Sequence, residues 1–257
     1  MMTNQPFTVI IPARLSSTRL PEKIIADIGG KPLIVRTANA AAKSRAARVV
    51  VAADDEKIVK ICQDNGIEVV LTDKTHQSGT DRLAQAVSLL GLTENMPIIN
   101  VQGDEPLINP QIIDDLANFF ISRNLPMATA AHTIDFIDEF HNANIVKVVL
   151  DKNDNALYFS RATIPYPRET QAKEMPTQIS VLRHIGIYAY SVPFLLNYQK
   201  LEQSPLEEIE KLEQLRVLWH GEKIGVMKTA VIPHAGVDTL DDLERVRRLW
   251  AEAHNFA

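Results

Sequence analysis

Positive charge and hydroxyl groups are concentrated in a short stretch near the N-terminus that two prolines stiffen. Within ten residues the sequence places three cations and three hydroxyls: Arg14, Ser16, Ser17, Thr18, Arg19 and Lys23. Polyphosphate binding requires fixed donors and positive charge in one place, and arginine supplies bidentate geometry for phosphate. The alternative is a solvated surface loop, but the stretch directly follows an apolar run, which favours the binding interpretation. Its spacing is not that of a Walker phosphate loop.

Carboxylates follow a second apolar run, in the segment Asn100–Pro106. Asp104 and Glu105 stand there beside Gly103, which permits a close approach of the backbone. A carboxylate in this place could hold Mg²⁺, which binds to one or two carboxylates together with phosphate oxygens. The alternative is a cap for a helix that begins near Pro110, and both interpretations stay open for this segment taken alone.

A third polar segment, Pro233–Asp242, precedes the last predicted helix. Asp241 and Asp242 follow Thr239 and are typical first-turn residues of a helix, where acidic side chains are stabilised. Asp238 precedes that turn, so it is the freer candidate for a metal ligand. Taken alone, this signal is weak.

Apolar runs alternate with helical patterns in the first half of the chain. Strands are predicted at Phe7–Ile11 (ended by Pro12), Arg48–Ala53, Ile67–Leu71 and Pro97–Val101. Helices are predicted at Pro32–Ala42, Thr80–Leu90 and Pro110–Ser122. A further helix is predicted to begin at an N-cap, which is either Asp54 or Asp55. Strands that are apolar throughout and alternate with helices indicate a parallel sheet covered on both faces. Ligands bind at the carboxyl ends of such strands, where the first two polar segments lie.

The pattern changes near residue 127. Strand-like runs at Met127–His132, Ile145–Leu150, Ala156–Phe159 and Arg183–Tyr190 predict an antiparallel extension, and residues 169–180 are polar and predict a loop. The end of the chain returns to the α/β pattern, with one helix at Pro205–His220, a strand at Ile224–Thr229 and a helix at Thr239–Asn255; Trp219 is expected in the core. We therefore expect a single domain over residues 1–257, with a nucleotide-binding half at about 1–126, a lobe at about 127–222 and a return to the core at 223–257.

The composition excludes several classes of protein. The formal net charge is −5, made of +5 over residues 1–60 and −10 over the rest, so a nucleic acid is not an expected partner. The single cysteine excludes an internal disulfide, and the absence of a long apolar run predicts no membrane span. With no signal peptide recognised, a cytoplasmic location is the expectation.

Together these segments resemble one enzyme family. The sequence is similar to the 3-deoxy-manno-octulosonate (Kdo) cytidylyltransferases, also called CMP-Kdo synthetases, from about Val9 to Arg247. The motifs, in the family's order, are Ile11–Arg14, Arg19–Pro21, Lys23, Gln77–Arg82, Asn100–Pro106, Phe159–Arg161, Ile164–Pro165, Arg183–Tyr188, Leu212–Arg216 and Gly236–Thr239. The resemblance implies a GT-A-like nucleotidyltransferase fold: a mostly parallel mixed sheet sandwiched by helices, with an antiparallel extension that binds the sugar and forms a homodimer.

The resemblance also implies a reaction and its residues. The family joins CTP and Kdo to give CMP-Kdo and pyrophosphate, which activates Kdo for lipopolysaccharide synthesis. By resemblance, the nucleotide is held by Ala13, Arg14, Ser17, Arg19, Lys23, Ser78, Gly79, Arg82, Gln102 and Asp104. The catalytic residues it implies are Arg14, Lys23, Asp104 and Asp238, of which Asp104 and Asp238 would ligate Mg²⁺.

The sugar-binding residues that the resemblance implies are Arg161, His184, Tyr188, Glu213 and Gln214. They suit an acid with many hydroxyls, because a planar arginine fits a carboxylate and the others supply hydroxyl partners. For the residues alone, structural roles stay open: a solvated charge for Glu213, a sheet residue for Tyr188 and a structural hydrogen bond for His184.

Other functions remain as alternatives. A cytidylyltransferase for sialic acid usually has glycine in the first loop, where this chain has Ser16 and Ser17. A cytidylyltransferase for 8-amino-Kdo is hardly distinguishable by sequence. A non-catalytic nucleotide-binding regulator is disfavoured by the presence of both Asp104 and Asp238.

Overall fold

Strands and helices alternate along the chain as the hydrophobic pattern predicts. The structure is a computed structural model that describes residues 5–76 and 78–254. Its strands are β1 (Thr8–Ala13), β2 (Asp27–Ile28), β3 (Lys31–Pro32), β4 (Arg48–Ala53), β5 (Glu68–Leu71), β6 (Ile98–Asn100), β7 (Met127–Thr133), β8 (Lys147–Leu150), β9 (Ala156–Ser160), β10 (Leu182–Tyr190) and β11 (Ile224–Thr229). Its helices are α1 (Leu33–Ala41), α2 (Glu56–Asp64), α3 (Gly79–Leu89), α4 (Pro110–Arg123), α5 (Ile137–His141), α6 (Val192–Tyr198), α7 (Pro205–Glu210), α8 (Gln214–Trp219) and α9 (Leu240–His254).

One mixed sheet organises the chain. Its strands follow the order β11-β7-β10-β6-β1-β4-β5, and β8 and β9 extend it from β10. The pairs β6–β1, β1–β4, β4–β5 and β7–β11 are parallel, whereas β10 runs antiparallel to both of its neighbours in that order. The predicted mostly parallel sheet and its antiparallel extension are therefore confirmed.

Helices cover both faces of this sheet because side chains of successive strand residues point to opposite faces. Val9 and Ile11 of β1 pack in one buried cluster with residues of α1, α2, α4 and α9, while Ile10 packs in the other with residues of α3, α6 and α8. A strand buried on both sides in this way requires the uninterrupted apolar run seen in the sequence. No helix in the described part of the chain is both long and apolar enough to cross a lipid bilayer.

The first strand extends further than its sequence predicts, since Pro12 does not end it. β1 continues to Ala13, and Pro12 stays in register with Ala52 of β4. The peptide groups of Ile10 and Pro12 point toward β6, and β6 pairs with β1 only as far as Ile10. The missing N–H of Pro12 therefore faces a side where the ladder has already ended, which is where a sheet tolerates proline.

The prediction of a single helix at Pro205–His220 is wrong, because the structure has two helices there, α7 and α8. The chain breaks at Lys211, whose φ of 55° lies in the left-handed region. Arg216 and Glu207 form an ion pair across the corner between the helices. The Arg216 guanidinium donates two hydrogen bonds, of 2.7 and 2.8 Å, to the Glu207 carboxylate. The core position expected for Trp219 is also wrong, because this residue at the end of α8 is 55% exposed.

A close approach at Gly103 brings two polar loops together. A Cβ atom at this position would lie 2.7 Å from the carbonyl oxygen of Pro12 and 2.8 Å from a side-chain carbon of Ile24. The Gly103 carbonyl also accepts a hydrogen bond of 2.8 Å from the buried hydroxyl of Thr37. Only glycine fits here without moving the loop after β6 away from the loop after β1.

We expect Gly103→Ala to lower the free energy of unfolding by about 1–3 kcal/mol, the usual cost of overpacking a tight contact. Chemical denaturation of both proteins measures this change. Gly79→Ala is the matched control, because a Cβ atom there would make only an ordinary contact of 3.9 Å with Pro12. Equal stability of the two variants would show that the contact at Gly103 does not constrain the loop.

Candidate active site

The carboxyl ends of β1 and β6 open into one cleft with two adjoining parts. The outer compartment has a volume of about 280 Å³ and is lined by Pro12, Arg14, Ser16, Ser17, Lys23, Ile24, Gly79, Gln102, Gly103, Asp104 and Glu213. The inner compartment, about 240 Å³, is lined by residues of β10, α8 and their neighbours, including Thr80, Asn100, His184, Tyr188, Tyr198, Glu213 and Gln214. Gly79, Gln102 and Glu213 line both compartments, so the two parts form a continuous surface.

The ammonium group of Lys23 lies between two carboxylates at the outer compartment. Its Nζ is 2.6 Å from Asp104 Oδ2 and 2.8 Å from Asp238 Oδ1, and it also donates to the carbonyl of Val237. Burial lowers the pKa of Lys23, but the two carboxylates outweigh burial, so its pKa is raised and the side chain stays charged. The fold thus joins Asp104 and Asp238, which the sequence places in separate segments.

Backbone contacts hold Asp238 in this position. The N–H of Val237 donates to the carbonyl of Asp104 at 2.9 Å. Thr239 and Asp242 then exchange hydrogen bonds at the start of α9, with Asp242 also accepting from the N–H of Asp238. This reciprocal capping confirms the first-turn role predicted for Asp242 and leaves the Asp238 carboxylate outside the helix.

Two arginines complete the charge of the outer compartment. Arg14 lies on its wall, and its buried Nη2 atom has no hydrogen-bond partner. Arg19 is mostly exposed and forms an ion pair of 3.1 Å with Asp238, and both residues line a wider opening that adjoins the outer compartment. A buried donor without a partner is costly, and an anion bound in this compartment would supply the missing acceptor.

The acidic pair is chemically suited to Mg²⁺. Both carboxylates contact a cation already, and their side chains remain 27% and 46% exposed, so each can accept another ligand. Within residues 5–76 and 78–254 there is no group of three or more acidic, histidine or cysteine side chains that could hold a metal. A Mg²⁺ ion on Asp104 and Asp238 would therefore take its remaining ligands from phosphate oxygens and water, as this ion commonly does.

Glu105 is a third carboxylate beside this pair. Burial is the main cause that raises its pKa to about 8, and the negative charges of Asp104 and Asp238 add to it. Its Oε1 would lie 3.0 Å from a Cβ atom on Gly236, so the loop before α9 packs directly over it. Glu105 therefore binds a proton more readily than an ordinary carboxyl group, which reduces the negative charge beside the acidic pair.

The inner compartment contains several buried polar atoms without hydrogen-bond partners. They are Oδ1 of Asn100, Nε2 of Gln214 and the hydroxyl of Tyr198. Asn100 and Tyr198 were not among the residues predicted from sequence, although Asn100 stands at the end of a buried strand in a motif already singled out. Such a group of unpaired donors and acceptors is suited to a ligand with many hydroxyl groups.

A bulge in β10 sets the orientation of two side chains that were predicted to bind the sugar. The pairing of β10 with β7 shifts between Ile185 and Tyr188, and the rings of His184 and Tyr188 come within 5.3 Å of each other. The hydroxyl of Tyr188 donates to Gln214 Oε1 at 3.2 Å. Bulges re-aim side chains next to active sites, and this one directs both rings into the compartment.

His184 is an uncharged member of the inner compartment. Its Nε2 lies 2.9 Å from the hydroxyl of Thr129, which itself donates to the carbonyl of Ile187 at 2.7 Å. Because that hydroxyl has only one proton, the geometry assigns Nε2–H of His184 as donor. Burial lowers the pKa of His184 to about 3.

Glu213 and Gln214 reach the cleft through the corner between α7 and α8. The carboxylate of Glu213 accepts a hydrogen bond of 3.0 Å from Thr80, and its pKa is raised, mainly by desolvation among the surrounding side chains. The corner places both residues at the first turn of α8. A continuous helix, as predicted from sequence, would not contain this turn.

Six of the predicted residues do not line either compartment. Arg19 and Asp238 line a wider opening beside the outer compartment, and the other four are Arg161, Arg82, Ser78 and Ala13. Arg161 does not line the cleft; its Nε donates to the carbonyl of Glu210 at 2.8 Å and its Nη1 to that of Ala143. Arg82 is fully buried behind the wall. Ser78 caps α3 through a hydrogen bond with Asp81, and Ala13 is buried in β1. Arg161, Arg82, Ser78 and Ala13 therefore do not line the cleft, and their contacts with a ligand stay predictions. Gln77, part of the motif that begins there, lies outside the described residues.

Known proteins match this chain over nearly its whole length. A family model described as Cytidylyltransferase matches residues 8–224. The chain belongs to the cytidylyltransferase family. A relative named 3-deoxy-manno-octulosonate cytidylyltransferase, from Neisseria meningitidis serogroup A, is 57% identical over 247 residues, which cover 95% of this chain and 98% of the relative. A protein of the same name from Herminiimonas arsenicoxydans is 57% identical over 249 residues, 96% of this chain and 99% of its own.

Solved structures show the same architecture. The structure of CMP:2-keto-3-deoxy-manno-octonic acid synthetase complexed with CTP has a TM-score of 0.88 and 39% identity, and the match covers 97% of this chain and 100% of that one. A cytidylyltransferase from Leptospira borgpetersenii shares the fold, with a TM-score of 0.61 at 16% identity over 95% of this chain and 86% of that one. This cytidylyltransferase therefore has the fold that its sequence predicts.

We expect Asp104→Ala and Asp238→Ala each to lower turnover by about a hundredfold or more, because each removes a carboxylate suited to a catalytic metal. Pyrophosphate release at saturating substrate measures this loss. Asp241→Ala is the control, since Asp241 is an exposed acidic residue outside the cleft. Full activity of both cleft variants would contradict the assignment of the acidic pair.

We expect His184 to stabilise the protein less as the pH falls. In the unfolded chain a histidine binds its proton near pH 6.5, whereas folded His184 does so only near pH 3. Between these values the unfolded state binds more protons, so the free energy of unfolding decreases as pH falls below 6.5.

Urea denaturation at neutral pH and at pH ~5, on either side of the unfolded histidine's pKa, tests this dependence. His184→Gln should lose less stability between the two conditions than the unaltered protein. His220→Gln, at an exposed histidine of the same chain, should keep the original dependence. An unchanged slope in His184→Gln would show that His184 is not held neutral.

Proposed function

We propose that this cytidylyltransferase transfers CMP from CTP to the anomeric hydroxyl of Kdo, giving CMP-Kdo and pyrophosphate. One observation carries the proposal: a compartment with Arg14, Lys23 and Asp104 on its walls, and Asp238 paired to the same lysine, continues into a compartment of unpaired polar atoms. The first suits a metal-bound triphosphate and the second a polyhydroxylated acid. Relatives 57% identical over almost the full chain have the name of this activity.

The reaction is an in-line substitution at phosphorus. The anomeric oxygen of Kdo forms a bond to the α-phosphorus while the bond to the pyrophosphate oxygen breaks, and the hydroxyl proton is released. The protein forms no covalent intermediate in this step, so its contribution is positioning and neutralisation of charge. Gln102, Gly79 and Glu213 line both compartments and so lie where the two substrates meet.

Arg14, Arg19 and Lys23 bind the triphosphate in this proposal. Arg14 brings an unpaired buried donor, and Lys23 brings an ammonium whose raised pKa keeps it charged. Negative charge grows on pyrophosphate as it leaves, and fixed cations in a partly enclosed cleft stabilise that charge. Ser17 and Gly79 line the same compartment and contribute to its shape.

Asp104 and Asp238 would hold Mg²⁺, which in such a site neutralises phosphate charge and orients the reacting oxygens. Lys23 lies between the two carboxylates and links this pair to the cationic loop. The chain's own role is to keep the two aspartates at a fixed separation, through the Val237–Asp104 backbone hydrogen bond and the cap of α9.

Kdo would occupy the inner compartment. Its hydroxyls would supply partners for Asn100, Gln214 and Tyr198, while neutral His184 and Tyr188 offer further donors and acceptors. Binding by direct contact with Arg161 remains a prediction from the resemblance. In this structure Arg161 instead supports the corner at Glu210, next to the Lys211 that lines the compartment.

The homodimer is a further part of the proposal. Leu157, Ile209 and Trp219 are large apolar side chains that are 55–78% exposed, and they lie on β9, α7 and α8, which contact one another. Exposed apolar side chains on adjoining elements are typical of an interface. A cytoplasmic location, where CTP is available, completes the proposal.

A screen of pyrophosphate release tests the function. With CTP and Mg²⁺ we expect fast release with Kdo and much slower release with N-acetylneuraminate, and removal of Mg²⁺ by chelation should stop the reaction. Parallel assays with 8-amino-Kdo and with ATP, GTP and UTP establish the sugar and the base.

Faster turnover with N-acetylneuraminate or with 8-amino-Kdo would replace Kdo by that substrate. Binding of CTP without any pyrophosphate release would favour the regulator instead. Heat-treated protein is the control for spontaneous hydrolysis of CTP.

A further inference from the structure

Asp54, the residue that follows β4, holds the main chain on both sides of Arg14. Its backbone N–H donates to the carbonyl of Ala13 at 3.2 Å, and its Oδ1 accepts a hydrogen bond of 2.9 Å from the N–H of Leu15. The sequence left Asp54 and Asp55 as alternative caps of α2, and in the structure Asp55 is the cap. Asp54 therefore has a separate task, which is to fix the direction in which the chain leaves β1 at Arg14.

Arg82 balances the charge of Asp54 from inside the protein. The Arg82 side chain is fully buried, and its Nη2 lies 3.6 Å from Asp54 Oδ2. Its Nη1 donates to the hydroxyl of Thr72, which donates in turn to the carbonyl of Ala53 at the end of β4. The network thus joins α3 to the ends of two strands at the edge of the sheet that bears the cleft.

This charge balance leaves Arg14 available for a ligand. Arg14 and Asp54 both line the wider opening beside the outer compartment, which has a volume of about 750 Å³, yet the buried Nη2 of Arg14 has no hydrogen-bond partner. A buried carboxylate needs a counter-charge, and removing that counter-charge leaves an uncompensated ion. Arg14 and Lys74 are cations that line the same opening as Asp54, so without Arg82 the Asp54 carboxylate would attract them, and pairing with Arg14 would draw that residue away from the phosphates.

We propose that Asp54 and Arg82 are positioning residues for Arg14, and that Arg82 acts through Asp54 without contacting the nucleotide. The inference rests on the proposed function, because it assigns Arg14 to the triphosphate. It replaces the direct nucleotide contact that the resemblance implies for Arg82. Full burial of Arg82 and its absence from the walls of both compartments support this assignment.

Titration calorimetry with CTP and, separately, with pyrophosphate tests the proposal, both in the presence of Mg²⁺. For Arg82→Met we expect both ligands to bind about tenfold more weakly, the usual effect of disturbing one buried polar interaction. The two losses should be equal because the phosphates alone contact Arg14. In steady state, the KM for CTP should rise while the KM for Kdo stays unchanged.

A second substitution separates charge balance from direct contact. Asn at position 54 keeps an oxygen acceptor for Leu15 N–H but removes the negative charge. We therefore expect Asp54→Asn combined with Arg82→Met to restore CTP binding to within about threefold of the unaltered protein, since no buried charge is left unpaired. Asp54→Ala combined with Arg82→Met lacks the acceptor and should bind weakly. If Arg82→Met alone does not fold, the comparison of CTP binding by these two double variants, which lack both charges, still tests the proposal.

Asp114 offers a matched control. It is nearly as buried as Asp54, accepts a hydrogen bond of 2.8 Å from the N–H of Arg45 and pairs with the Arg45 guanidinium. Arg45 precedes β4, so this pair lies at the opposite edge of the sheet from the cleft. Asp114→Ala should lose stability while binding CTP as the unaltered protein does.

The outcomes are distinct. A loss confined to CTP, with pyrophosphate binding intact, would show that Arg82 contacts the nucleoside and would overturn the inference. Unchanged binding in Arg82→Met, no rescue by Asp54→Asn, or the same loss in Asp114→Ala would also overturn it. If the unaltered protein binds neither CTP nor pyrophosphate, the proposed function itself fails, and the inference fails with it.

Discussion

The site depends on the contact of one lysine with two carboxylates. Lys23 lies 81 positions from Asp104 and 215 positions from Asp238 in the sequence, yet its ammonium group bonds to both. Two carboxylates this close repel each other, and the attraction of both to a cation between them offsets that repulsion. The loop after β1, the loop after β6 and the segment before α9 must therefore meet, and the order of strands in the sheet makes this possible because β1 and β6 are neighbours.

The rest of the cleft shows a division between stability and function. The sheet and its two helical layers bury mainly apolar side chains, and the cleft at the edge of the sheet contains polar atoms of Arg14, Asn100, Tyr198 and Gln214 without partners. Each unpaired buried group costs on the order of 1–3 kcal/mol. A fold with a large apolar core tolerates this cost, and the same unpaired atoms are what a charged, hydroxylated ligand would satisfy.

Local patterns predicted the helices and strands well where the pattern itself decides the structure. The bounds of β4 and β11 agree with the prediction to the residue, because the run of apolar residues by itself marks where a buried strand begins and ends. The patterns failed where a neighbouring element decides. Pro12 stays within β1 only because β6 ends early, and the helical run over residues 205–220 breaks at Lys211, where Glu207 and Arg216 pair across the corner.

The site could be predicted in part for the same reason. The sequence by itself determined which residue types follow the strands: cations after β1, carboxylates after β6 and an aspartate before the last helix. Only the tertiary structure decided which of them share the cleft, because side-chain direction depends on strand order, on the bulge in β10 and on packing between distant loops. It brought Asn100 and Tyr198 into the inner compartment, turned Arg161 toward the α7–α8 corner, and buried Arg82 behind Asp54.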